Sequence, residues 1–64
     1  SLLIGINQIV TYIGVSKPTF YRLARKGLPA NLIDGTWYAH KDNLDNYFKI
    51  ITSKPPQSFP EEEN

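Results

Sequence analysis

Two apolar helical stripes meet at a three-residue link, Gly14-Val15-Ser16, and this junction restricts the possible folds more than any other feature of the chain. Ile6, Ile9, Val10 and Ile13 fall at i, i+3, i+4 and i+7, one face of a helix. Gly5 is an acceptable N-cap ahead of them, and Gly14 is a favoured residue just past a helix end. Ser16 is a good N-cap for a second helix, and Pro18 is tolerated in its first turn, where the missing N–H has no partner to lose. Phe20, Leu23 and Ala24 form the second stripe, and Gly27 and Pro29 stop it, so the second helix is expected over roughly 17–26. β-Branched residues dominate the first stripe and are poor helix formers, so packing across the link must hold the pair together.

Beyond the pair, Asn31-Leu32-Ile33 and Thr36-Trp37-Tyr38 flank Asp34-Gly35, a strong signal for a hairpin with a type I′ turn. That turn pairs Ile33 with Thr36 and Leu32 with Trp37. Trp37 is expected to seal the hairpin against the helices. Leu44, Tyr47, Phe48 and Ile51 repeat the helical spacing and predict a third helix over about 41–51. Asp42 and Asp45 near its start and Lys49 near its end suit the helix dipole, with His40 exposed at its start. Leu2–Ile4 precedes everything as a short apolar run. Tyr12 and Tyr47 read as residues at the edge of the core. The expected fold is mainly α with a small β-hairpin, in the order helix, helix, hairpin, helix, over residues 1–51. Residues 52–64 hold Pro55, Pro56, Pro60 and Glu61–Glu63, with Phe59 as their one aromatic. Such a segment cannot bury enough apolar surface to offset its ordering entropy, and a disordered, Pro-rich acidic tail is expected.

Size and composition exclude several classes. A chain of 64 residues buries only about 60% of its unfolded surface, so its core is thin. With no cysteine and a single histidine it has no disulfide, no thiolate zinc site and no histidine cluster. No run in it approaches the ~20 apolar residues of a membrane helix, and neither a membrane span nor a signal peptide is expected. Ser1 rather than methionine opens the chain, as in a trimmed or partial sequence. No nucleophile–base pair or cluster of carboxylates is apparent, so an enzyme is not expected, and neither a metal nor a cofactor is called for.

The net charge of +1 conceals an asymmetry. Residues 1–51 carry a net +3 and residues 52–64 a net −2. Lys17, Arg22, Arg25 and Lys26, four of the six cations of the first part, lie within ten residues. Advancing about 100° per residue, Pro18, Arg22 and Arg25 oppose Phe20, flanked by Thr19, Tyr21 and Lys26. The second helix therefore has one apolar face and one cationic face. A helix fits the major groove of B-DNA, where arginine can bond to guanine O6 and N7, while lysine and tyrosine suit phosphate oxygens. A solvated surface would also carry cations outward. The tight link, the capped second helix and the hairpin together favour a nucleic-acid reading.

Residues 4–48 resemble the small winged helix-turn-helix domains of the MerR-like, excisionase-like family of phage and mobile-element proteins. The match runs through Ile9-Val10-x-x-Ile13-Gly14-Val15-Ser16-x-x-Thr19-Phe20-Tyr21-Arg22-Leu23, then Gly27-Leu28-Pro29-Ala30, Trp37, Leu44 and Tyr47-Phe48, without a gap. The resemblance implies sequence-specific binding of double-stranded DNA. The second helix would enter the major groove and the Ile33–Thr36 hairpin would lie along a minor groove as a wing. Carried over by position, the contacts are Ser16, Lys17, Pro18, Thr19, Tyr21, Arg22, Arg25 and Lys26. Arg22 and Pro18 are expected nearest the base edges and Lys17, Tyr21, Arg25 and Lys26 on the backbone. Candidate wing residues are Asn31, Asp34, Gly35 and Thr36, although the family usually places arginines or a glycine around the hairpin tip and beside the tryptophan, and this hairpin has no cation. The family also favours a smaller residue than Val10 in the first helix.

The resemblance further implies a cytoplasmic, nucleoid-associated protein encoded by a bacterium or phage. Its role would be that of a transcriptional regulator or of an excisionase, a recombination directionality factor. Partners would be an integrase or further DNA-bound copies of the chain. Two other expectations stand beside it: the DNA-recognition domain of a small terminase subunit, and a protein-interaction module that kept the fold and lost DNA.

Overall fold

The computed structural model describes residues 1–56. The order is β1 (Leu2–Ile4), α1 (Ile6–Ile13), α2 (Lys17–Arg25), β2 (Asn31–Ile33), β3 (Thr36–His40) and α3 (Lys41–Ile51). The three strands form one antiparallel sheet in the order β1-β3-β2. The architecture is thus mixed, with three helices and a three-stranded sheet, rather than mainly α with a two-stranded hairpin. The correction comes from Leu2–Ile4, which pairs along Tyr38–His40 in the register Leu2↔His40, Leu3↔Ala39 and Ile4↔Tyr38. The Gly5 N–H continues the ladder to the Trp37 carbonyl at 2.7 Å. A three-residue apolar run has no periodicity of its own. Its strand character comes entirely from a partner more than thirty residues away.

The local signals fold as their chemistry requires. Gly14 follows α1 with φ 75°, and its N–H and that of Val15 both reach the Val10 carbonyl, at 2.7 and 3.1 Å. No atom would meet a Cβ at Gly14, so backbone conformation alone favours glycine there. Asp34 and Gly35, at φ 55° and 80°, make a turn with two positive φ values, and the hairpin register is Leu32↔Trp37 and Ile33↔Thr36 as the turn dictates. The third helix begins at Lys41, capped by a residue type seldom used for this. The His40 Nδ1 accepts the Asp42 N–H at 3.2 Å. His40 is therefore a half-buried helix cap rather than a freely exposed side chain. Thr52, expected in the tail, caps α3: its hydroxyl donates to the Phe48 carbonyl and the Ser53 hydroxyl to that of Ile50 at 2.7 Å. The expected disorder of the tail falls largely on residues 57–64, outside the described residues.

Each helix sends one side chain fully into the core: Ile9, Phe20 and Leu44. Leu3, Ala39 and Leu28 close it, and among the described residues no polar or charged residue is buried. Alternation along the strands puts Leu3, Ala39 and Trp37 on the core face and Leu2, Ile4, Ile33 and Tyr38 on the outer face. Tyr12 joins α1 to α3 at the surface. Its hydroxyl donates to Asp45 Oδ1 at 2.7 Å, and Lys41 Nζ sits 5.4 Å from its ring centroid, within cation–π range. The hydrogen bond to Asp45 is the main reason the Tyr12 phenol titrates above its usual value, with partial desolvation and the charges of Asp45 and Asp42 adding to it.

Phe20→Ala is expected to cost about 3–5 kcal/mol, most of the stability of a domain this small, in urea denaturation followed by circular dichroism. Leu32→Thr, at a side chain 57% exposed, should shift stability by no more than about 0.5 kcal/mol. A raised folded-state pKa means the Tyr12 contribution is complete below the unfolded phenol value of about 10 and is lost as pH rises through the folded value. Asp45→Asn should accordingly bring the Tyr12 titration down, followed by NMR at its Cζ carbon. An unchanged midpoint would remove Asp45 as the cause.

Candidate nucleic-acid interface

The α2 helix is fixed at both ends by its own sequence. At the start, Ser16 has extended backbone and its Oγ accepts the Thr19 N–H at 3.4 Å, with Pro18 in the first turn. At the end, the Leu28 N–H reaches the Leu23 carbonyl at 3.0 Å and the Gly27 N–H reaches that of Ala24 at 3.4 Å. This paired 6→1 and 5→2 arrangement is the Schellman stop, and the buried Leu28 anchors it. The helix ends at Arg25, so Lys26 is its cap rather than its last residue.

Between these ends Phe20 points into the core, while Ser16, Lys17, Pro18, Tyr21, Arg22, Arg25 and Lys26 are exposed and Thr19 is half-buried. The residues singled out from the sequence are therefore accessible apart from the half-buried Thr19, with Arg22 and Arg25 opposite Phe20 and Lys17 and Lys26 at the two helix ends. No acid occurs in α2, and none of the described Lys or Arg side chains is ion-paired with a described carboxylate. Lys17, Arg22, Arg25 and Lys26 thus form a concentrated positive surface with no paired counter-charge among the described residues.

Three of the polar residues are linked by side-chain bonds that run from the N-cap along the helix. The Ser16 hydroxyl donates to Thr19 Oγ1 at 3.1 Å, and Arg22 Nη2 donates to the same oxygen at 3.1 Å. The Tyr21 ring is placed by a longer-range contact. It lies edge-on to Trp37, with centroids 6.2 Å apart and planes at 66°, beside the Phe20–Trp37 pair at 5.0 Å and 89°. No pattern along the chain links residues 21 and 37, so sequence reasoning found the Tyr21 hydroxyl but missed the ring's anchor. Trp37 does seal the hairpin onto the helices, half-buried as expected.

The hairpin stands beside α2 but differs from it in character. All of β2 is exposed, and Leu32 and Ile33 are 57% and 56% accessible. Asn31, Asp34 and Gly35 are exposed and Thr36 is half-buried. Alternation puts Asn31 and Thr36 on the sheet face opposite Trp37, away from the face through which Tyr21 touches the sheet. The structure therefore groups the α2 candidates but does not bring these two wing candidates to them.

Elsewhere, a groove of about 570 Å³ runs between α1 and α3, with Ile13, Val15 and Phe48 inside and Tyr12, Asp45 and Lys49 at its rim. Its single carboxylate is already engaged by Tyr12. Among the described residues no three His, Cys, Asp or Glu side chains are grouped to hold a metal, and no helix is long and apolar enough to cross a membrane. Comparison of the chain with protein-family models, curated proteins and solved structures gives no significant match.

Truncating Tyr21 tests the aromatic anchor. Tyr21→Ala should lower stability by about 1 kcal/mol through loss of the edge-on contacts. Tyr21→Phe should leave the thermal midpoint unchanged, because the ring and not the hydroxyl touches Trp37. A midpoint for Tyr21→Phe as low as that of Tyr21→Ala would refute the assignment.

Proposed function

We propose that this chain is a winged helix-turn-helix domain that binds double-stranded DNA sequence-specifically through α2. The observation that carries the reading is the outward face of α2, where Arg22 and Arg25 oppose a buried Phe20 and, with Lys17 and Lys26 at the helix ends, have no carboxylate partner among the described residues. A polyanion supplies the missing counter-charge, and the major groove of B-DNA is wide enough to admit an α-helix. Arg22 and Pro18 would face base edges from the N-terminal half of the helix. Lys17, Arg25 and Lys26 would meet phosphates on either side, with the Tyr21 hydroxyl held on its anchored ring. The resemblance of residues 4–48 to MerR-like and excisionase-like domains supports a phage or mobile-element regulator or excisionase. An integrase or neighbouring copies of the chain on DNA would then be its partners.

One observation favours a second reading. The hairpin is uncharged apart from Asp34 and exposes Leu32 and Ile33, a surface better suited to protein than to phosphate. A protein-interaction module, or a terminase-type recognition domain in which protein contacts dominate, would use this hairpin.

Salt dependence separates the two. If the four α2 cations meet phosphates, log K for duplex DNA falls with log salt at a slope near about −3.6. Arg22→Ala should weaken binding and flatten sequence preference. Absence of binding to mixed duplex DNA at about 50 mM salt would reject the DNA reading.

A further inference from the structure

We infer that Thr19 is a positioning residue that sets the Arg22 guanidinium for base recognition. This rests on the reading that α2 meets DNA. It is carried by a feature that the DNA reading does not require, the shared acceptor at Thr19 Oγ1.

Among the four cations of the α2 face, only Arg22 has a hydrogen-bond acceptor among the described residues. Its Nη2 reaches Thr19 Oγ1, three residues earlier, at 3.1 Å. The same oxygen accepts the Ser16 hydroxyl at 3.1 Å, and Ser16 in turn accepts the Thr19 N–H at 3.4 Å. A hydroxyl oxygen has two lone pairs, so Thr19 is saturated as an acceptor by its two neighbours. Thr19 is itself stiff at χ1 and half-buried, which makes it a fixed post rather than a mobile surface hydroxyl. The helix N-cap, Thr19 and Arg22 thus form one continuous chain of bonds along a single ridge.

Electrostatics point the same way. Arg25 and Lys26, three and four residues after Arg22, repel its guanidinium toward the N-terminal half of the helix. The Thr19 oxygen receives it there. One of its five N–H groups is then used, and the remaining four stay in a planar fork that can bond to guanine O6 and N7 together. Holding the fork in advance removes part of the side-chain entropy that binding would otherwise cost. Arg25, by contrast, has Arg22 three residues before it and no such acceptor. The two arginines therefore have different roles: Arg22 is preset for geometry and Arg25 is left mobile for charge.

The test uses Thr19→Val, which keeps the shape and removes the acceptor, Thr19→Ser, which restores the hydroxyl, and Ser16→Ala, which removes the cap but not the post. In the free protein, NMR relaxation at the Arg22 Nε should report a restrained side chain in the wild type, Thr19→Ser and Ser16→Ala. Thr19→Val should become as mobile as Arg25. On a duplex selected from a random pool, Thr19→Val should reduce discrimination at the base pair read by Arg22 about tenfold. Its non-specific affinity should change by less than about twofold, and Thr19→Ser should recover the discrimination. Circular dichroism melting establishes that each variant is folded, and Thr19→Ala replaces Thr19→Val if the latter is not. If Arg22 is equally mobile in wild type and Thr19→Val, or discrimination survives the loss of restraint, the inference is overturned. If the restraint follows the hydroxyl but the wild type binds no duplex, the positioning stands and it is the DNA reading that fails.

Discussion

Phe20 meets Trp37 edge to face, with ring centroids 5.0 Å apart, and through that contact α2 is joined to the sheet. Phe20 is fully buried, so the orientation of α2 is set by how its ring seats among Ile9, Leu44 and the tryptophan. Everything opposite Phe20 on the helix is thereby directed outward. The cationic face is not placed by its own interactions. It is the necessary reverse of a hydrophobic contact. Aromatic pairs of this geometry prefer a narrow range of angles, so the contact supplies direction as well as buried area.

The remainder of the core is economical. Six described residues are buried, and none is polar, so no side-chain hydrogen bond stabilises the interior. Polar interactions lie instead at the seams. Tyr12 clasps α1 to α3 through Asp45 and Lys41, His40 caps α3 where it leaves β3, and Thr52 and Ser53 close its far end. In a domain with little apolar surface to bury, helix ends left without partners would be a large fraction of the total stability, since a cap contributes about 1 kcal/mol.

Local chemistry was largely legible in the chain, and long-range pairing was not. Gly14-Val15-Ser16 and Asp34-Gly35 specify their turns through conformations that few other residues adopt, and both turns form as expected. The apolar stripes of the three helices were equally readable, because periodicity 3.6 is a property of one segment. Leu2–Ile4 has no such property, and its place in the sheet depends on Tyr38–His40. The Tyr12–Asp45 bond spans 33 residues and the Tyr21–Trp37 contact joins α2 to β3, so neither leaves a local trace. His40 was missed as a cap for a different reason: its ring nitrogen does what Ser, Thr, Asp and Asn do far more often. For the candidate interface, the cationic face of α2 was visible in the spacing of its charges. The hydroxyl chain from Ser16 to Arg22 was hidden there, because three residues at i, i+3 and i+6 are adjacent only once the rotamers are known.

The charges on α2 do not serve the domain's own stability. Like charges at i+3 and i+4 destabilise a helix by a few tenths of a kcal/mol each, and a glutamate at any of the outward positions would relieve them. The sequence places its three structured acids elsewhere: Asp34 in the hairpin turn, and Asp42 and Asp45 on α3. Asp45 is held by Tyr12, and Asp42 donates its backbone N–H to the cap at His40. None of these three acids is ion-paired with a cation of α2. A hydrophobic hairpin beside a helix with this field makes a two-part surface, and on the proposed reading the parts divide the work. The helix carries the electrostatic and base contacts, while Leu32 and Ile33 leave the hairpin without the cations that a phosphate-tracking wing needs. Affinity for DNA would then rest on α2 almost alone, and the geometry of Arg22 would weigh more in this domain than in one whose wing shares the load.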